Sequence, residues 1–151
     1  MSLIEVVVAV GVLAVAVPLG LAAMAKAGMS GAAARAETRA PAMAERCLLE
    51  LREARRGRSE FFPPLAAGVG FPGDGEVLAL AFAADGRVIG AVGAADYESG
   101  LAELDGRTVD YVAAISGDRR DGAVTVEVAV EYPVVRRAED RSAIEFHTRL
   151  P

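Results

Sequence analysis

The chain of 151 residues contains no tryptophan, one histidine and one cysteine, and aromatic residues make up only 5% of it. A lone histidine and a lone cysteine do not supply the spaced ligand set of a Cys/His metal site. Cys47 has no second cysteine to pair with, so cysteine usage does not report the redox compartment. There is no glycine-rich phosphate loop ending in Lys-Ser/Thr and no Gly-x-Ser-x-Gly nucleophile elbow. The expectation is a non-enzymatic protein: no catalytic residue, metal ligand or cofactor is assigned. His147 alternates outward on the last strand pattern and reads as a solvated side chain. Asp118 and Asp121 invite a calcium reading, but Arg119 and Arg120 stand between them and oppose a cation.

The second absence is of charge. From Val6 to Ala25 no residue is charged, and the first charge after Glu5 is Lys26. These residues form a helix of about 30 Å at 1.5 Å per residue, the thickness of a bilayer's hydrocarbon core. A signal peptide requires basic residues ahead of its apolar run. Met1-Ser2-Leu3-Ile4-Glu5 has none and carries an acid instead. A plain membrane anchor accounts for the length, but not for Glu5 or for the recurring small residues Ala16, Gly20, Ala23, Ala27 and Gly31. Such spacing lets helix backbones approach closely, although alanine also simply favours helix.

The net charge of −5 is unevenly spread. Up to Gly57 there are seven basic and five acidic residues; beyond it there are nine basic and sixteen acidic. An acidic C-terminal part lacks the clustered Lys/Arg that displace counterions from a phosphate backbone, so no nucleic-acid partner is expected.

Three segments follow. Residues 1–25 read as a hydrophobic membrane or filament-core helix. Residues 26–57 read as its amphipathic continuation: Ala44, Cys47, Leu48, Leu51 and Ala54 share one face, which is expected to pack on the rest of the protein. Cys47 on that face reads as a small core residue rather than a reactive thiol. Pro41 is expected to kink or break this helix near Arg39–Ala40, and Gly57 to end it. Residues 58–151 read as a β-rich head with loops at 58–75 and 117–122. Its strand patterns run through Leu78–Phe82, Arg87–Ile89 (a hairpin across Asp85-Gly86), Val109–Ile115, Val124–Tyr132 and Ile144–Leu150, with 90–105 irregular. The fold class is α+β: a long N-terminal helix packed on one face of a small antiparallel sheet.

Met1-Ser2-Leu3-Ile4-Glu5-Val6 and the apolar run behind it resemble the mature N-terminus of type IV pilins and type II secretion pseudopilins. The resemblance implies a pilin-like fold and a structural subunit that polymerises with itself through its N-terminal helix. It implies processing by prepilin peptidase and N-methylation at Met1, and an assembly charge pair between Glu5 and the Met1 amine of a neighbouring subunit. A carboxylate in hydrocarbon costs several kcal/mol unless paired. The alternative is that Glu5 caps the helix at the membrane surface, where the macrodipole favours an anion. Pro18 and Gly20 mark either an ordinary kink or a stretch that melts on assembly, as the resemblance implies. The implied partners are other copies, the peptidase and pilus or secretion assembly machinery. The implied location is the bacterial inner membrane, then an extracellular filament or a periplasmic pseudopilus. A minor pilin or pseudopilin is the alternative within the family; a monomeric membrane-anchored binding module is the alternative outside it. If the resemblance holds, Met1 follows a glycine in the precursor and carries an N-methyl group. Intact mass of the purified protein is expected to show one added methyl; an unmethylated Met1 or a retained leader would remove the basis of the resemblance.

Overall fold

A computed structural model describes residues 3–65, 77–120 and 123–150, and the side chains of 10–26, 28, 31–65, 77–117 and 125–149. Met1 and the expected turn segment Gly68–Gly73 lie outside the described residues. So do the side chains of Glu5 and Asp118, and all of Asp121. The elements are α1 (Leu3–Arg55), β1 (Leu78–Phe82), β2 (Val88–Val92), α2 (Ala94–Ser99), β3 (Glu103–Leu104), β4 (Arg107–Thr108), β5 (Tyr111–Arg120), β6 (Ala123–Tyr132) and β7 (Ser142–Leu150). A short 3-10 turn, Ala138–Asp140, precedes β7. The chain forms two compact units, Met1–Arg35 and Ala36–Pro151. The protein is therefore α+β.

Within the second unit the sheet order is β2-β1-β5-β6-β7, antiparallel throughout. Register sets Leu80, Ala113, Val130 and Ile144 side by side, and Leu78, Ile115, Val128 and Phe146 in the next row. Because strand side chains alternate, both rows lie on one face. The part of α1 from Ala36 to Ala54 packs there: Ala36, Ala40, Met43, Ala44, Cys47, Leu51 and Ala54 are buried with Leu80, Phe82, Ile115, Val126, Val128 and Val130. The helix is closed by Gly57 at φ 69°, whose N–H bonds Ala54 O while the Arg58 N–H bonds Glu53 O. A left-handed glycine one residue past the last turn is what this pair of bonds needs. Ser59 fixes the exit: its hydroxyl donates to Glu50 (2.9 Å) and accepts the Phe61 and Phe62 amides, and Phe61, Phe62 and Leu65 fold onto the core.

Several expectations are corrected. Of the kink or break expected at Pro41, the break does not occur: α1 runs through it. Losing one backbone bond costs about 3 kcal/mol. Immediately on either side, Ala36, Ala40, Met43 and Ala44 are buried against the sheet, and that packing holds the backbone helical. The stretch 90–105 is not irregular: it contains the end of β2, all of α2 and β3. Arg119–Arg120 belong to β5 rather than to a loop.

The second sheet face, to which the sequence pattern assigns no partner, is covered as well. Ala79, Ala81 and Val112 form a second core there with Ile89, Val92, Val109 and Val134, and Tyr97, Leu101 and Leu104 pack against it. Small side chains on this face let α2 and the β3–β4 hairpin lie close. Gly100 (φ 100°) allows the closest approach: a Cβ there would stand 2.7 Å from Val135 O. Glu131 is therefore buried instead of exposed. Its carboxylate accepts from the Tyr97 hydroxyl and from Arg141 Nη1 at 2.9 Å. Arg141, whose side chain is wholly buried, also donates to the backbone oxygens of Arg136 and Tyr97 and stacks over the Tyr97 ring at 5.1 Å. The buried charges are thus paired and hydrogen-bonded, the condition under which burial is tolerable.

Two predictions follow from these cores. Arg141→Ala strands the Glu131 carboxylate, and urea unfolding is expected to show a loss of about 3–5 kcal/mol; a loss within experimental error would mean that the network carries no stability. The second concerns alkali. Burial, with the Glu50 charge adding to it, pushes the Cys47 thiol up to about 12; Arg46 opposes this. Burial and then the Glu131 hydrogen bond push the Tyr97 hydroxyl up as well. Both groups ionise more easily unfolded than folded, so their contribution is complete below their unfolded pKa values and is lost as pH rises towards the folded ones. The urea midpoint is expected to hold to about pH 8 and to fall between about 9 and 12, less steeply in Cys47→Ala. An unchanged slope in that variant would contradict the assignment.

Candidate functional site

The first unit has no core of its own among its described side chains from Val10 to Met24. Val10, Val12, Leu13, Val15, Val17, Leu19, Leu21 and Met24 are all exposed, from 54% at Val17 to 74% at Met24. At 100° per residue these positions surround the helix, so no polar face offsets the apolar one. A helix that is apolar all round must be buried in other protein or in lipid. By length and composition α1 is able to cross a membrane. Gly11, Gly20 and Gly28 meet no other atom of the chain where a Cβ would stand. No described residue beyond the helix's own backbone requires these positions to be small.

Pro18 and Gly20 lie inside α1, which is helical at both positions. Glu5 lies in the first two turns of α1. Its pairing with the Met1 amine falls outside what is described. Ala44, Cys47 and Leu51 are buried in the main core, and Leu48 packs partly against it. The apolar run and the core-facing side of α1 thus occupy consecutive stretches of one helix and have different surroundings.

The polar groups that sequence periodicity missed lie elsewhere. Glu50, which is not among the Ala44, Cys47, Leu48, Leu51 and Ala54 positions predicted to pack, is 5% exposed and bonded to Arg46 (2.7 Å) and Ser59. Its i−4 arginine was a legible signal; the serine nine residues on was not. Arg141 and Tyr97 stand 10 and 34 residues from Glu131 in the chain and meet it only through the sheet and the 133–141 turn. Glu50 and Glu131 each divide their oxygens between one guanidinium and one hydroxyl: Arg46 and Ser59 for the first, Arg141 and Tyr97 for the second. His147 is 58% exposed and stands 3.7 Å from Glu127 and 4.0 Å from Glu145. Among the described residues, no group of three or more His, Cys, Asp and Glu side chains is placed to hold a metal ion. Shallow surface depressions lie beside Leu48, Leu49 and Arg52 and beside Glu98 and Glu139.

The fully apolar surface of α1 is therefore the feature that most needs a partner. No protein-family model, curated protein or solved structure matches the chain.

Proposed function

We propose that this protein is a type IV pilin-like structural subunit that polymerises through the N-terminal part of α1 into a helical filament. The observation that carries the reading is the exposure of every large apolar side chain described from Val10 to Met24, directly behind a lone acid at Glu5. Lipid satisfies such a surface before assembly; the same surface of other copies satisfies it afterwards. Small residues at Ala16, Gly20, Ala23, Ala27 and Gly31 let those helices approach closely. Pro18 and Gly20 are where the helix gives when it exchanges lipid for neighbours. The second unit is the displayed head, and its two cores keep it folded in either surrounding.

In this reading the subunit is processed by a prepilin peptidase, resides in the bacterial inner membrane and is drawn by assembly machinery into an extracellular filament or a periplasmic pseudopilus. Glu5 sets the register by pairing with the Met1 amine of the neighbour, a cation below its reference pKa of about 8. An unpaired carboxylate among apolar helices would oppose assembly by several kcal/mol. That selects for the staggering in which the two charges meet.

Glu5→Gln is therefore expected to leave membrane insertion and head folding unchanged while lowering filament yield by about tenfold or more, equivalent to one lost charge interaction of at least ~1.4 kcal/mol per subunit. Negative-stain electron microscopy of sheared cell-surface material, with membrane fractionation alongside, measures both. Wild-type yields of regular filament from the variant would show that the pair does not guide assembly. A wild-type chain that stays monomeric in the membrane would favour the anchored binding module.

A further inference from the structure

The second unit carries two oppositely charged surfaces that its own fold keeps apart. The first is the end of α1 and the turn after it. Arg52, Arg55, Arg56 and Arg58 fall within seven residues, and Glu53 is the one acid among them. Arg56 and Arg58 both bond that same carboxylate, at 2.8 and 2.9 Å, yet their side chains remain 62% and 63% exposed. One anion serves two guanidiniums; with Glu45 beside Leu49 and Arg52 and with Glu60 after Arg58, the four arginines still outnumber the three acids Glu45, Glu53 and Glu60. Leu49, one turn before Arg52, is 44% exposed on this outer side of the helix. An apolar centre with an arginine margin has the composition of an interface rather than of ordinary surface.

The second surface is the layer on the opposite side of the sheet. From Ala94 to Asp110 there are five acids, Asp96, Glu98, Glu103, Asp105 and Asp110, against the single cation Arg107. The first four are exposed; Arg137 and Glu139, from the turn before β7, line the same depression as Glu98, so the layer keeps its acidic excess with two cations beside it. α1 packs on the face bearing Val126, Val128 and Val130; Tyr97, Leu101 and Leu104, from the acidic layer, pack on the face bearing Ala79, Ala81 and Val112. The sheet stands between the two surfaces, so they do not neutralise one another within a chain.

We infer that the arginine-rich end of α1, centred on Leu49, Arg52 and Arg56, docks against the acidic α2–β4 layer of a second copy. The inference rests on the polymerisation proposed above and adds which head surfaces meet. Its occupant is chosen by charge complementarity: each copy carries both halves. A contact between two different patches of identical subunits does not close on itself unless a ring forms, which is what an open filament needs. Charges at such a contact fix orientation and speed encounter more than they add affinity. They are screened over about 8 Å at physiological salt.

The test uses the full-length protein in detergent, with self-association followed by sedimentation velocity at about 50 mM and about 500 mM sodium chloride. Association is expected to weaken with salt. Arg52→Glu with Arg56→Glu is expected to weaken it about tenfold at low salt, the sum of exposed pairs worth a few tenths to 1 kcal/mol each. Glu98→Lys with Glu103→Lys is expected to do the same from the other side. Mixing the two variants in equal amounts then restores association, because each supplies the surface the other has reversed; restoration also shows that both are folded. If the wild type associates but neither salt nor either double variant changes it, or if mixing restores nothing, the docking is wrong and helix-driven assembly stands. A wild type that does not associate at any salt overturns the docking alone: detergent covers the apolar part of α1 as lipid does, and helix-driven assembly is decided by the filament yields above.

Discussion

A helix with apolar side chains on every side cannot be satisfied by the chain that makes it, and the consequences of that constraint run through the rest of the molecule. Fully burying a Val, Leu or Met side chain is worth about 1.5–3 kcal/mol, and eight such side chains between Val10 and Met24 are left exposed in the isolated subunit. The backbone hydrogen bonds of this segment are closed internally, so either lipid or protein is an acceptable surrounding. Glu5 and the small residues are what distinguish the two: lipid has no use for either, whereas a bundle of identical helices uses both.

The head answers a different requirement. In the proposed assembly it has to remain folded while the first part of α1 exchanges lipid for neighbouring copies. It does so by giving each face of a thin sheet its own cover. One face receives the alanines, Met43, Cys47 and Leu51 of α1; the other receives a short helix and a hairpin held by Arg141, Glu131 and Tyr97. The first cover is apolar and adaptable. The second depends on directional bonds between groups brought together by the register of β6, and it orients the α2–β4 layer that carries the acids.

Much of this was legible in the sequence, for reasons that are physical. The hairpin at Asp85-Gly86 and the valine alternation of β6 follow from local turn chemistry and from the two-residue period, both of which survive tertiary packing. The face of α1 carrying Ala44, Cys47 and Leu51 could be read from the helical period. What could not be read was long-range. Glu131 has the same outward phase as Thr125 and Glu127, and periodicity alone assigns all three to solvent; only the layer formed by residues 94–110 and 133–141 buries it. Pro41 misled because a local backbone cost was weighed without the burial of Ala36, Ala40 and Met43 that outweighs it. The stretch 90–105 lacked a period because its helix is six residues long and its strand β3 two, too short to show one.

The most direct measurement is a helical reconstruction by cryo-electron microscopy of the assembled protein. The segment from Val6 to Ala25 is expected at the filament centre, surrounded by the same segment of neighbouring copies and shielded from water, with the sheets outside. A chain that forms no filament, or a filament held by its heads with this segment still in lipid or exposed to water, would contradict assembly through α1.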